Sequence, residues 1–400
     1  MAQNNQINNT ELSNAIRILS VDAVEKANSG HPGMPMGMSD VATVLFTKFL
    51  KFDSSCPDWI NRDRFVLSAG HGSMLLYSLL YLNGYKDISM EDIKNFRTLN
   101  SKTAGHPEYG ELKGIETTTG PLGQGLANAV GIALAEKIMS NKYGSDLFNH
   151  KTFVIAGDGC LMEGISQEAI SFAGHIGLGK LIVLFDDNGI SIDGPTSLST
   201  SDDHLIRFQA SNWHTIECDG HSPSETEEAI NKAIADPRPS LIACKTKIGF
   251  GSPNKEGKSS SHGSPMGKEE IELIRKELNW SHAPFVIPEN ILDAWNNNGI
   301  KGKTERESWQ KIYNTSNYND EINDAISGKN LDNLESSLEN YKLSLAENLT
   351  SLSTRKSSEN VLNELTEIVF NLIGGSADLT GSNNTLARNQ IAINAKDFSG

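Results

Sequence analysis

The chain has 400 residues, 38% hydrophobic and 21% charged, which is enough apolar side chain for a sizeable core and more than one domain. Its 35 basic and 50 acidic side chains leave a net charge of −15, which repels phosphate backbones and excludes non-specific nucleic-acid binding. Its 35 Gly and 13 Pro follow no triplet period, so it is not collagen-like, and its most apolar stretch, residues 74–82, is too short to cross a bilayer.

Residues 1–14 carry no Lys or Arg and have neither the basic nor the apolar stretch of a secretory leader. Leu12, Ile16, Leu19 and Ala23 recur at helical spacing and predict a helix that Ser29-Gly30 stops. His31 precedes Pro32, which disfavours helical geometry, so His31 is expected to project from a loop. Residues 64–68 (RFVLS) read as a short buried strand that runs through Ala69-Gly70-His71-Gly72 into an apolar helix. Residues 124–139 predict a helix rich in Gly and Ala. Strands are predicted at 151–156 (KTFVIA), 180–185 (KLIVLF) and 240–246 (SLIACKT), with helices over 163–176 and 226–235. Continuously apolar strands alternating with helices predict an α/β fold: a doubly wound, mostly parallel sheet with helices on both faces. Near Asn314 the chain turns rich in Asn, Ser, Glu and Lys, predicting a helical connector to about residue 353, and a new segment starts near Arg355. Cys56, Cys160, Cys218 and Cys244 form no CxxC pair and read as reduced thiols of a cytoplasmic protein.

Gly157-Asp158-Gly159 directly follows one buried strand and Asp187-Asn188 the next, with one helix between them. In a parallel unit this puts Asp158 and Asn188 at the same carboxyl edge of the sheet, where ligands bind. A carboxylate and an amide oxygen make a hard-oxygen site for Mg2+, which usually takes further oxygens from a substrate phosphate. The glycines let backbone N–H groups approach such phosphates at a helix N-terminus. Gly-Asp-Gly and Asp-Asn are each ordinary turn chemistry, and the joint arrangement points only to metal plus phosphate, without naming a cofactor. Of the ten histidines, His31, His71, His106 and His262 are flanked by Gly or Pro and can project into a cleft. His150, His175, His204, His214, His221 and His282 read as surface or satisfied core residues, His175 and His221 least clearly.

Gly157-Asp158-Gly159, Glu163-Gly164 and Asp187-Asn188 resemble the thiamine-diphosphate motif of the transketolase family. Ser29-Gly30-His31-Pro32-Gly33, Gly105-His106-Pro107, Gly120-Pro121-Leu122-Gly123-Gln124-Gly125, Ser261-His262-Gly263 and Gly374-Gly375-Ser376-Ala377-Asp378-Leu379-Thr380 are similar to that family too. The resemblance runs from about Leu12 to Gly400. It implies transfer of a two-carbon ketol unit from a ketose phosphate to an aldose phosphate, in the pentose phosphate pathway. It implies a metal held by Asp158, Asn188 and the carbonyl of Ile190, normally Mg2+, with Ca2+ or Mn2+ able to substitute. Gly120, Pro121, Leu122, Gly159 and Ile192 would line thiamine diphosphate, and His71 and His262 would approach its diphosphate end. Asp378 would reach the cofactor from the other subunit of a homodimer, and Glu163 would join an acidic network linking the paired sites. Arg355 and Ser382 would contact the sugar phosphate. His31 and His262 would deliver protons at the acceptor carbonyl, and His71 and His106 would bond the donor hydroxyls.

By the same resemblance, residues 1–315 form a diphosphate-binding domain, 316–353 a connector and 354–400 the beginning of a pyrimidine-binding domain. Family chains continue further, so the isolated chain is expected to be incomplete, with a separate C-terminal chain as one way to supply the rest. Other readings are a non-catalytic binding fragment, or another thiamine-diphosphate enzyme such as deoxyxylulose-phosphate synthase or a 2-oxo-acid dehydrogenase subunit. A Mg2+-nucleotide binder is the weakest, because GxxxxGK[ST] is absent.

Overall fold

A computed structural model describes residues 8–376 and 378–399. Two compact units divide them: one takes the chain up to residue 137 and residues 148–308, the other residues 138–147 and 309 onward.

A capping box opens helix α1 (Asn9–Ala27). Asn8 Oδ1 accepts from the Glu11 N–H at 2.9 Å, and Glu11 Oε2 accepts from the Asn8 N–H at 3.0 Å. The helix ends at Asn28, left-handed at φ 49°, just before the predicted Ser29-Gly30 stop. Helix α2 (Gly33–Val44) follows and is buried along its whole length. A helix wrapped on every side has no polar face, so no amphipathic period announces it in the sequence. Strand β1 (Arg64–Leu67) leads to helix α3 (Ser73–Leu82), then α4 (Met90–Lys94) and α5 (Gln124–Tyr143). Strand β2 (Thr152–Gly157), helices α6 (Asp158–Met162) and α7 (Gly164–Ile176), and strand β3 (Leu181–Asp187) form the central unit. A hairpin of β4 (Ile190–Ser191) and β5 (Gly194–Pro195) comes next. Helix α8 (His204–Ala210), strand β6 (His214–Asp219), helix α9 (Pro223–Ala235) and strand β7 (Ser240–Lys245) complete the sheet region. Helices α10 (Lys268–Glu277) and α11 (Glu289–Gly299) follow it in sequence.

The five-stranded sheet has the order β1-β2-β3-β7-β6, and every neighbouring pair is parallel. This is the α/β parallel sheet the apolar runs predict. Strand β6 is the exception to legibility: it is an edge strand, largely half-exposed, and its polar letters carry no apolar run. Leu181, Ile182, Val183, Leu184 and Phe185 of β3 are all at most 2% exposed. Burial at about 1.5–3 kcal/mol per large apolar side chain holds the register, so Gly157 lies opposite Asp186 and Asp187 opposite Lys245. Because all strands run the same way, their carboxyl ends share one edge.

The second unit is helical. Helix α12 (Lys303–Asn314) runs into it and is followed by α13 (Asn319–Ser327), α14 (Leu334–Glu347), α15 (Thr354–Ile368) and the short α16 (Thr380–Asn383). Trp309 stacks on Tyr313 with ring centres 4.8 Å apart, and its Nε1–H donates to the Leu147 carbonyl at 2.9 Å. Among the described residues, no helix is long and apolar enough to cross a membrane.

Candidate active site

At the carboxyl edge, Asp158 starts α6 immediately past the β2 tip, and Asp186, Asp187 and Asn188 lie at the tip of the adjacent β3. Burial pushes the Asp158 carboxyl up to about 7, and the nearby Asp187 charge adds to this. Asp186 is also raised to about 7, first by burial, although the Thr246 hydroxyl donates to it and Asn188 Nδ2 donates at 2.8 Å. Asp187 pairs with Lys245 Nζ at 2.5 Å. Asn188 Oδ1 accepts from the Ile190 N–H at 2.9 Å, which keeps the Ile190 backbone in the same turn. His204 Nε2 lies 3.9 Å from Asp158 Oδ1, and neither ring nitrogen has a hydrogen-bond partner among the described residues. Among those residues no three His, Cys, Asp or Glu side chains converge as a metal cage. The hard oxygens at this edge are thus the Asp158, Asp186 and Asp187 carboxylates and the Asn188 side-chain amide, with the Ile190 backbone in the adjoining turn. Such a set leaves coordination positions for phosphate oxygens.

The predicted loops converge around these tips. A Cβ on Gly159 would lie 3.0 Å from Leu122 Cδ1, so the 120–122 turn packs onto the Gly-Asp-Gly turn. A Cβ on Gly120 would lie 3.4 Å from His106 Cγ, and one on Gly70 only 2.5 Å from Thr119 Oγ1. These contacts join the loops of His71 and His106 to the 120–122 turn. Leu122 and Ile192 are 37% and 62% exposed, and Pro121 is exposed beside Leu122. Apolar side chains facing outward at a polar edge suit a partly apolar ligand. Glu163 is exposed at the N-cap of α7, and its Cβ would be 2.9 Å from a Cβ on Gly123.

Four of the predicted histidines form one cluster. The ring centre of His31 is 5.1 Å from that of His71, 5.7 Å from His262 and 6.5 Å from His106, and His71 stacks on His262 at 5.1 Å. Burial, then the neighbouring His262, Arg97 and His106, pushes His31 down to about 4. Burial, then His262, His31 and His106, pushes His71 to about 3. His106 is lowered by burial and then Arg97, and His262 by burial. The cluster is thus neutral at pH 7, and His262 Nδ1 is buried with no hydrogen-bond partner among the described residues. Neutral imidazoles with free nitrogens can donate to and accept from hydroxyls of a bound polyol.

Asp378, Arg355 and Ser382 belong to the second unit, where all three are exposed: Arg355 on α15, Ser382 on α16 and Asp378 in the bend before α16. Three residues at or beside the site escaped sequence reasoning. Arg97 Nη2 reaches His31 Nδ1 at 3.4 Å, and no local motif marks it. His204 had the polar, unframed surroundings of a surface residue, yet it is buried against Asp158. His221 Nδ1 bonds Asp40 Oδ2 at 3.0 Å, its Nε2 accepts from the Lys247 N–H at 3.0 Å, and its ring stacks on Phe250 at 4.0 Å. That network ties α2 to the segment leading to His262. For it, the only hint was the Gly before His221.

Residues 8–331 match the family described as transketolase, thiamine diphosphate binding domain. The chain belongs to the transketolase family. It is 52% identical over 391 residues to a transketolase of Cereibacter sphaeroides, covering 98% of this chain and 59% of that protein. It is 50% identical over 394 residues to transketolase 2 of Escherichia coli strain K12, covering 96% and 59%. The Campylobacter jejuni transketolase structure superposes with a TM-score of 0.86 at 38% identity over 95% of this chain and 58% of that one. A Pichia stipitis transketolase complex with sedoheptulose 7-phosphate gives 0.88 at 38% identity, over 98% and 60%. The chain thus spans about three-fifths of the length of the transketolases it matches.

Proposed function

We propose that this chain holds thiamine diphosphate with a divalent cation and, in a protein of its relatives' length, transfers a two-carbon ketol unit between sugar phosphates. The observation that carries this reading is the meeting, at one sheet edge, of a hard-oxygen corner and a cluster of neutral histidines. The oxygen corner fits a cation. Asp158 is a buried carboxylate raised to about 7 with Asp187 beside it, and its basic neighbour His204 is itself held below its ordinary pKa by burial. A divalent ion would offset that buried negative charge, held by Asp158, Asn188 Oδ1 and the Ile190 carbonyl, with Mg2+ the natural occupant.

Bound thiamine diphosphate supplies the electron sink that breaking a carbon–carbon bond next to a ketose carbonyl requires. Everything else falls to the protein. Gly120, Pro121, Leu122, Gly159 and Ile192 would line the cofactor, and His71 and His262 would approach its diphosphate end. His71 and His106 hydrogen-bond donor hydroxyls. His31 and His262 serve proton delivery at the acceptor's carbonyl oxygen: as neutral rings they hydrogen-bond it, and the proton it gains as it becomes a hydroxyl is the one released by the donor's hydroxyl when the carbon–carbon bond breaks, carried by an imidazole that first takes it up. Held neutral at pH 7, they add no repulsion to a nearby cation. Arg355 and Ser382 bind the sugar phosphate, Asp378 serves the cofactor of a partner subunit in a homodimer, and Glu163 belongs to the acidic contact between the paired sites. The domain division at residues 315 and 353, a cytoplasmic location and a place in the pentose phosphate pathway belong to the same reading.

Two-carbon transfer from xylulose 5-phosphate to ribose 5-phosphate, measured with Mg2+ and thiamine diphosphate in the protein of relatives' length, tests the reaction. The reading expects transfer and no pyruvate decarboxylation. The reverse pattern would reassign the chain to another thiamine-diphosphate reaction.

A further inference from the structure

We propose that Arg97 is a positioning residue that fixes the tautomer of His31, keeping its proton on Nε2. A guanidinium has five N–H donors and no acceptor. The contact between Arg97 Nη2 and His31 Nδ1 at 3.4 Å can therefore exist only with Arg97 donating and Nδ1 offering its lone pair. A neutral imidazole that accepts at Nδ1 carries its proton at Nε2. The ring is turned to use it: a Cβ on Gly263 would stand 3.1 Å from His31 Cδ2 and 3.2 Å from Nε2. The Nε2 edge thus faces the His262 loop, and the absence of a side chain at Gly263 keeps that edge clear.

Arg97 is held for this task from several directions. Its backbone is left-handed at φ 60°, a conformation that costs a non-glycine residue and persists only where the surroundings impose it. Its N–H donates to the Thr103 carbonyl at 3.0 Å, closing the loop. Its Nη1 donates to Ser29 Oγ at 3.0 Å, two residues ahead of His31 in the chain. A Cβ on Gly105 would lie 3.1 Å from Arg97 Cζ, so the residue preceding His106 must be small for the guanidinium to reach its place. Arg97 Nε is buried with no hydrogen-bond partner among the described residues, so the group is placed for His31 and Ser29 and not for its own hydrogen-bond satisfaction.

The consequence concerns the direction of proton traffic. With Nε2 protonated, neutral His31 is a hydrogen-bond donor on its cleft side and cannot accept there. The groups facing His31 are Arg97, His71, His106 and His262, one from each loop packed around it. All four are basic, and the permanent charge of Arg97 works with burial to keep His31 uncharged. The catalytic use of His31 rests on the function proposed above, whereas its tautomer can be read without substrate or cofactor.

The test is long-range 1H–15N correlation of histidine-labelled full chain, with His31 assigned by comparison with His31→Gln. In the native protein, His31 Nδ1 should resonate as a bare nitrogen and Nε2 as a protonated one near pH 7. In Arg97→Ala the preference for Nε2–H should fall by about tenfold, as expected when one hydrogen bond from a charged donor is lost. The His31 titration midpoint should rise in the same variant. Arg97→Lys, which keeps charge and donors, should restore the native tautomer. A native His31 protonated at Nδ1 overturns the proposal by itself, whether or not Arg97→Ala folds. So does an unchanged tautomer in a folded Arg97→Ala. Failure of the chain to bind thiamine diphosphate would sink the proposed function and leave this result standing.

Discussion

The two corners of the site respond to the same burial in opposite ways. Where Asp158 and Asp186 meet, loss of water raises carboxyls to about 7 and leaves an arrangement that a cation would relieve. Where His31, His71, His106 and His262 meet, the same loss lowers imidazoles and leaves a cluster already at rest without charge. One edge of one sheet thus provides an ion-demanding corner and a charge-silent one. The contrast follows from which residue types the strand tips and loops carry, and in the proposed function it separates binding from chemistry.

The largest effect should come from removing an imidazole. His262→Ala in the active enzyme is expected to lower kcat by about 100-fold or more, the usual worth of a positioned general acid–base. Cofactor affinity should fall far less than in Asp158→Ala, because the oxygen corner is untouched and only one group beside the diphosphate is lost. Steady-state kinetics beside calorimetry separates the two, and a variant that loses affinity instead would merge the corners.

Stability against pH sharpens the contrast through its sign. His71 sits at about 3 when folded and 6.5 when free, so the unfolded chain binds its proton first as pH falls. Its contribution is fully present above pH 6.5 and is lost between pH 6.5 and about 3, by at most about 5 kcal/mol. Asp158 in the ligand-free protein sits at about 7 against 3.8, so it destabilises the fold as pH rises from 3.8 to about 7. Denaturant titrations of His71→Phe and Asp158→Asn should therefore flatten the pH dependence in opposite directions. Changes of the same sign would contradict the account. The smallest expected effect is Gly33→Ala, whose added methyl would lie 2.5 Å from the Ser261 carbonyl oxygen. It should cost about 1–3 kcal/mol by overpacking and disturb His262 before the oxygen corner.

Much of this was legible in the sequence for identifiable reasons. The strands ending at Gly157 and Asp187 are apolar runs, and their tips carry Gly, Asp and Asn, so the oxygen corner could be placed from spacing. His31, His71, His106 and His262 stood out because Gly or Pro frames each one. Helix α2 was hidden because all its faces are buried, and strand β6 because an edge position tolerates polar letters. Arg97, His204 and His221 were hidden because long-range folding makes their partners: the bond from His221 to Asp40 spans 181 residues. The roles of Asp378, Arg355 and Ser382 rest on family resemblance alone.

The central claim is that Asp158 and Asn188 clamp a diphosphate through a divalent ion. Isothermal titration of the chain with thiamine diphosphate, with Mg2+ and with the metal chelated, tests it most directly, repeated on Asp158→Ala. Saturable binding that needs Mg2+ and weakens by about 100-fold or more in the variant is the predicted result, in keeping with loss of a buried charged partner. Equal binding with and without metal, or undiminished affinity in Asp158→Ala, would contradict it.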